Sequence, residues 1–149
     1  MIDISKITIS FSNINKELQN LPFCFCINSY LNEEKNRVEK FVLFTTQFQL
    51  RKFKDCLQIF MDGTFYASPK KYYQLYNIIG KEKKSGINIP LAFVLMTHKS
   101  YSVYFHLFNN IKNFLEKNNI NLCFKNIYIM MDFEKASRNE LKMFFLIYT

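Results

Sequence analysis

The chain has 149 residues, of which 49% are hydrophobic, and its 20 Lys and Arg against 12 Asp and Glu give a formal net charge of +8. This length suits one domain with a core, and the hydrophobic content excludes a chain that is disordered throughout. The apolar runs are far shorter than the ~20 residues that cross a bilayer, and the N-terminus lacks the basic and then apolar order of a signal peptide.

The segment 1–56 is predicted to form a preface of strands and a helix. Two aromatic, alternating stretches predict strands at 23–30 and 41–46. The polar, charged residues between them, 31–40, predict a solvated turn. Residues 47–56 are predicted to form a short helix.

The segment 57–149 is predicted to form the core. An apolar run, LQIFMD, predicts a central strand that ends at Asp62, and Gly63 is expected to break it. Glycine there would also permit close approach to a metal or phosphate. The remaining predicted elements follow in order: a strand at 72–79, a hairpin loop at 80–86, a strand at 87–96 with Pro90 near its start or at a bulge, a helix from Tyr101, a strand at 126–132 and a final helix from Phe133.

The helix that starts near Tyr101 is recognised by its apolar spacing. The apolar residues recur on one face, and Ser100 or Ser102 is expected to cap its N-terminus. They are Val103, Leu107, Ile111, Phe114 and Leu115. A connection that contains a helix allows strands 57–62 and 126–132 to lie side by side and parallel. Their C-terminal ends, and so Asp62 and Asp132, would then meet.

Two adjacent carboxylates predict a site for a hard divalent cation. Ionised, they repel by about 4 kcal/mol at an effective dielectric near 20, and a shared Mg²⁺ or Mn²⁺ would relieve that repulsion. A pair of such ions suits phosphoryl transfer. The alternative is that Asp62 only opens a turn and Asp132 only caps the final helix.

The basic balance makes nucleic acid the first candidate partner, with Lys70 and Lys71 as candidate phosphate contacts. A solvated turn explains the same two lysines, and an AT-rich coding sequence also produces a Lys-rich, Asn-rich chain. Tyr72, Tyr73 and Tyr76 are candidates for base stacking or, alternatively, ordinary packing. The four cysteines are expected to be buried free thiols, and the two histidines ordinary polar residues.

A resemblance to a known family emerges from the order of short motifs. These are IFMDGTFYASPKKYYQLYNIIG, IPLAFVLMTHKSYSVYFHLF and IYIMMDFEKASRNELKMFF, preceded by FVLFTTQFQLRKF. From Phe41 to about Phe145 the chain resembles the transposase domain of Mutator-like elements, the MULE domain, of the DDE superfamily. Each motif alone is weak, and the ordered set is fairly specific.

The resemblance implies an α/β, ribonuclease H-like mixed sheet and a metal-dependent enzyme that cleaves and transfers DNA strands. It implies that Asp62 and Asp132 are catalytic and bind Mg²⁺ or Mn²⁺, that DNA is the partner, that the protein acts in the nucleus, and that it forms homo-oligomers. The family's third acid, a glutamate on a later helix, is assigned neither to Glu134 nor to Glu140. The chain is therefore expected to be an incomplete catalytic domain, or alternatively a non-catalytic DNA- or protein-binding module.

Overall fold

The structure is a computed structural model that describes residues 23–120 and 127–131, with side chains from residue 27 onward. In this part of the chain, six strands form one mixed sheet in the order β1-β2-β5-β4-β3-β6. The predicted α/β class with an antiparallel hairpin, a crossover helix and a parallel strand pair is confirmed at this level. Strands from the segment before residue 57 and from the segment after it share the sheet.

The first two strands form a hairpin that is longer than the sequence predicts. β1 (Phe23–Asn32) pairs antiparallel with β2 (Arg37–Thr46). The Asn32 side chain accepts a hydrogen bond from the Lys35 amide at 3.1 Å, and Asn36 has a φ of 45°, which asparagine tolerates better than most residues. The polar segment 31–40 therefore contributes residues to both strands as well as a short turn.

A short helical segment connects β2 to the central strand. Helix α1 (Gln47–Lys52) begins at Thr46, whose hydroxyl accepts a hydrogen bond from the Gln49 amide, and a 3₁₀ turn (Phe53–Asp55) follows it. The prediction of a short helix here is confirmed. Leu50 and Phe53 are buried and join the hydrophobic core.

Three antiparallel strands form the centre of the sheet: β3 (Cys56–Thr64), β4 (Gln74–Glu82) and β5 (Asn88–Met96). The register between β4 and β5 shifts after Ile78, so that Ile79 pairs with Pro90 and Leu91 is the extra residue. Pro90 therefore lies at a bulge, one of the two positions that the sequence allowed for it. The freed Leu91 carbonyl accepts a hydrogen bond of 2.7 Å from the buried Thr45 hydroxyl.

The expectation that Gly63 breaks the first core strand is wrong. Gly63 pairs with Tyr76 and Thr64 with Leu75, so β3 continues two residues beyond Asp62. The antiparallel ladder with β4 holds these residues extended, since it satisfies their backbone groups. Asp62 consequently lies inside a paired strand rather than at its tip.

The crossover runs through helix α2 (Tyr101–Lys117) to β6 (Tyr128–Met131). The Ser100 hydroxyl caps the helix by accepting a hydrogen bond from the Val103 amide, which confirms that predicted cap. β6 pairs with β3 in parallel, as the crossover predicts. The predicted final helix lies outside the described residues.

Helix α2 packs its apolar face against one face of the sheet, where the core lies. Val103, Leu107 and Ile111 are buried there, and the ring of Tyr104 meets that of Tyr76 on β4 edge to face, 5.3 Å between centroids. The sheet contributes alternate residues to this core. They include Phe41, Leu43, Ile59, Met61, Ile78, Leu91, Val94 and Met96.

A buried carboxylate ties the start of α2 to the sheet. The Glu39 side chain on β2 is fully buried, and it accepts hydrogen bonds from the hydroxyls of Ser100 and Tyr30. Arg37 donates to it at 2.9 Å. Burial alone would raise the pKa of Glu39, but the hydrogen bonds from Ser100, Arg37 and Asn32 outweigh burial and lower it. The residue that caps α2 is thus itself held by a charged acceptor on β2.

Replacing Glu39 with Gln should destabilise the fold by about 1.5–3 kcal/mol, because bonds to a charged acceptor become neutral. Since the folded pKa lies below the ordinary value, this stabilisation is present above about pH 4.5 and is lost as the pH falls through the folded pKa. Urea unfolding of both proteins from neutral to acid pH should show their difference shrinking in acid. The exposed Glu33→Gln variant should match the parent, and an E39Q effect that persists at the acid end would contradict the assignment.

Candidate functional site

Asp62 lies on β3, the second strand from one edge of the sheet, and on the face opposite helix α2. Its neighbours in sequence and strand, Ile59 and Met61, are buried in the core, and side chains alternate between faces along a strand. Asp62 itself is exposed. Its partner on β4 is Asn77, and Asn77 in turn pairs with Phe93 on β5. The predicted site residue is therefore accessible from outside.

Asp132 lies outside the described residues. The last described residue before it, Met131, pairs in parallel with Met61, the residue before Asp62. In the sequence, Asp62 follows Met61 and Asp132 follows Met131 by one residue each. The role of both as catalytic, metal-binding residues stays a prediction.

Gly63 is needed for packing on the core face. A Cβ there would lie 2.7 Å from the Gln74 side-chain oxygen. Gln74 is fully buried, and its amide nitrogen donates to the Tyr104 hydroxyl at 2.7 Å. Because that bond holds Gln74 in place, a larger residue at position 63 would displace the strand next to Asp62.

Asn77 is a polar residue of this site that the sequence analysis missed. Its side-chain oxygen is buried and has no hydrogen-bond partner among the described residues. Its nitrogen is 3.5 Å from the Thr64 hydroxyl. Opposed residues on antiparallel strands have Cβ atoms about 4.5–5.5 Å apart, so the Asn77 and Asp62 side chains are neighbours on this face. The available signal was a lone Asn in the apolar strand YYQLYNII.

Carboxylate and amide oxygens are the ligands that Mg²⁺ and Mn²⁺ prefer. The donor set of Asp62 and Asn77 therefore fits such an ion, although it supplies only part of a shell. Within residues 23–120 and 127–131, no three His, Cys, Asp or Glu side chains come together as a metal-binding group.

Lys70 and Lys71 lie exposed in the loop between β3 and β4. This loop is at the edge of the sheet where β3, β5 and β6 end and α2 begins. No acid occurs from Gly63 to Lys81, so positive charge at this edge has no acidic neighbour within the loop. Near the opposite edge, the positive charge of Lys52 does have an acidic neighbour, because its ammonium lies 2.6 Å from a carboxylate oxygen of Glu82.

The described cysteine and the two histidines pack against, or hydrogen-bond to, neighbouring residues of the fold. Cys56 is a free, buried thiol, as predicted, and burial raises its pKa to about 11. Cys24, Cys26 and Cys123 lie outside the described side chains. The His106 ring packs on that of Tyr30, with 4.0 Å between centroids, and burial lowers its pKa. His98 meets the Thr97 hydroxyl at 3.0 Å.

Among the described residues, no helix is both long enough and apolar enough to cross a membrane. Neither a curated protein nor a solved structure gives a significant match to the chain. A family model does match: that of the MULE transposase domain, over residues 58–147. This span is more than half of the chain, and it includes both aspartates and the crossover between them. The chain belongs to the MULE transposase domain family.

Proposed function

We propose that this domain cleaves and transfers DNA strands with the help of divalent metal, as a DDE-type transposase domain on a ribonuclease H-like sheet. The observation that carries the proposal is the parallel pairing of β3 with β6, whose final pair is Met61 and Met131. Asp62 and Asp132 each follow that pair by one residue.

Chain geometry supports the approach of the two aspartates. Paired strands lie about 4.8 Å apart, and consecutive α-carbons are about 3.8 Å apart. Because each aspartate is one residue from the pair of Met61 and Met131, chain connectivity limits the separation of their α-carbons to about 12 Å. If both strands keep their register for one more residue, the two carboxylates share the face opposite α2.

The unpartnered oxygen of Asn77 supports a cation on this face. A buried amide oxygen without a partner costs free energy unless a ligand satisfies it. Asp62 supplies a negative charge beside it, and Asp132 would supply a second. We assign these residues, Asp62, Asn77 and Asp132, as ligands of Mg²⁺ or Mn²⁺.

Each of these residues would have a separate role in strand cleavage and transfer. Asp62 and Asp132 hold the metal site, and Lys70 and Lys71 hold the phosphate backbone in register. Two bound ions would supply activation of the attacking hydroxyl and neutralisation of the departing oxygen. The third carboxylate of a DDE site is assigned to no residue, and Glu134 and Glu140 lie outside the described residues.

Asp62→Asn should abolish most of the thermal stabilisation that Mg²⁺ or Mn²⁺ produces, because it removes a charged oxygen ligand. At an ion concentration of about 100 times Kd, binding stabilises by about 2.7 kcal/mol, which corresponds to a rise in Tm of about 5–10 °C for a chain of this size. Thermal unfolding with and without Mg²⁺ measures the difference.

Asp55→Asn is the matched control, because Asp55 is a partly exposed aspartate whose carboxylate lies 3.8 Å from the ammonium of Lys52, away from the site. It should keep the metal-induced shift. A shift that survives unchanged in Asp62→Asn would refute the metal site.

Asn77→Leu should stabilise the metal-free protein by about 1 kcal/mol, because it removes the buried, unpartnered oxygen. The same change should reduce the Mg²⁺-induced rise in Tm, whereas Asn77→Asp, which restores an oxygen ligand, should preserve it. Urea unfolding without metal and thermal unfolding with metal test the two halves. An unchanged metal response in Asn77→Leu would remove Asn77 from the ligand set.

Replacing both Lys70 and Lys71 with Ala should weaken binding to duplex DNA of any sequence. The plot of log K against log salt concentration should lose about 2 from its slope, since each lysine that leaves a phosphate removes about one released ion. Lys83 and Lys84 lie exposed in the β4–β5 hairpin at the opposite edge, so their double Ala variant serves as control. Equal slopes in both variants would exclude Lys70 and Lys71 as phosphate contacts.

A further inference from the structure

The loop between β3 and β4, residues 65–73, exposes aromatic rings directly after the candidate site. Tyr66 is fully exposed at 104%, and Phe65 and Tyr73 are 45% and 47% exposed. Burial of a large aromatic ring is strongly favourable, and this loop leaves three of them open within nine residues. We call residues 65–73 the aromatic loop.

The aromatic loop makes hydrogen bonds within itself and to the end of β5. The Ser68 hydroxyl donates to the Tyr72 carbonyl at 3.1 Å, and the Tyr72 amide donates to the Pro69 carbonyl at 2.8 Å. The Tyr73 amide donates to the Met96 carbonyl at 2.7 Å, which ties the loop to the end of β5. A loop that is ordered in advance loses less entropy when it binds a partner.

A lysine accompanies the rings. The rings of Phe65 and Tyr73 meet edge to face, 5.4 Å between centroids. The Lys99 ammonium lies over both, 5.5 Å from the first centroid and 5.6 Å from the second. With Lys70 and Lys71 in the loop itself, the surface combines the fully exposed Tyr66 ring and two partly exposed rings with positive charge. Its complement is a ligand with flat rings on an anionic backbone, which describes a nucleic acid strand whose bases are unpaired.

The position of the loop relative to Asp62 defines which part of the strand it would hold. Tyr66 follows Asp62 by four residues, so their α-carbons lie within about 14 Å. A base held at Tyr66 would therefore belong to the stretch of strand next to a phosphate at Asp62.

We propose that Tyr66 stacks on an unpaired base of the DNA strand beside the Asp62 site, while Phe65, Tyr73 and Lys99 form the floor of the same subsite. This inference rests on the proposed function for the identity of DNA as ligand and for the reacting phosphate at Asp62. Taking a base out of the stack costs free energy, and the cost is least when the base is mispaired or already single-stranded. The subsite therefore selects opened strand ends over continuous duplex.

The test uses a short single-stranded DNA oligonucleotide that carries 2-aminopurine, a fluorescent base that is quenched when it stacks. In EDTA, the parent protein should quench the probe. Tyr66→Ala should remove the quenching and weaken single-strand binding about 5- to 150-fold, the range for loss of one stacked base, with a smaller change for duplex. Tyr66→Phe keeps a ring and should restore both signals.

Tyr128→Ala is the matched control, because Tyr128 is an exposed tyrosine on β6, 68% accessible. It should leave quenching and affinity unchanged. Loss of single-strand and duplex binding by equal factors in Tyr66→Ala, failure of Tyr66→Phe to restore quenching, or an equal effect of Tyr128→Ala would overturn the inference.

Two further arms separate the alternatives. Vesicles of phosphatidylcholine and phosphatidylserine test a membrane surface, and Tyr66-dependent binding to them without quenching of the DNA probe would overturn the base-stacking subsite. Asp62→Asn should quench the probe normally in EDTA. Tyr66-dependent quenching without metal stabilisation at Asp62 would refute the proposed function alone, and metal stabilisation without Tyr66-dependent quenching would refute this inference alone.

Discussion

The parallel contact between β3 and β6 is the constraint on which the candidate site depends. Parallel strands cannot be joined by a tight turn, so the chain must leave the sheet after β5 and return through helix α2. That return aligns Met61 with Met131. An antiparallel β6 would place the residue after Met131 at the far edge of the sheet, and Asp132 would then be unable to approach Asp62.

The first residues of helix α2 are held over the sheet by two hydrogen bonds of the Ser100 hydroxyl. Ser100 caps α2 through its interaction with the Val103 amide, and the same hydroxyl donates to the buried Glu39 carboxylate on β2. The apolar face of the helix then covers the core side of β4, where Tyr76 and Tyr104 meet. Burying the Glu39 carboxylate costs free energy unless its oxygens accept hydrogen bonds. Moving the start of α2 would break the bond from Ser100, so this cost favours one position of the helix over the sheet.

The two faces of the sheet differ in burial and polarity. The face under α2 is closed and apolar, and its buried Gln74 requires glycine at position 63. The opposite face carries the exposed Asp62, the unpartnered oxygen of Asn77 and the half-exposed Phe93. Positive charge and open aromatic rings lie at the edge where β3 ends. Polar chemistry beside a rigid sheet, with a loop of binding residues at its edge, is an arrangement that enzymes often use.

Local signals in the sequence, namely periodicity and capping serines, were enough to predict most of the described elements in their order. The sequence therefore predicted the start of α2 at Tyr101 and a crossover that allows β3 and β6 to pair in parallel. It misplaced the end of β3, because Asp-Gly is a turn signal in isolation, and only the ladder with β4 keeps Gly63 and Thr64 extended. The tertiary structure alone decided that Asn77 lies opposite Asp62, that Gly63 faces Gln74 and that Lys99 covers Phe65 and Tyr73. These contacts join residues far apart in the chain, and the register and packing that create them have no counterpart in any short stretch of sequence.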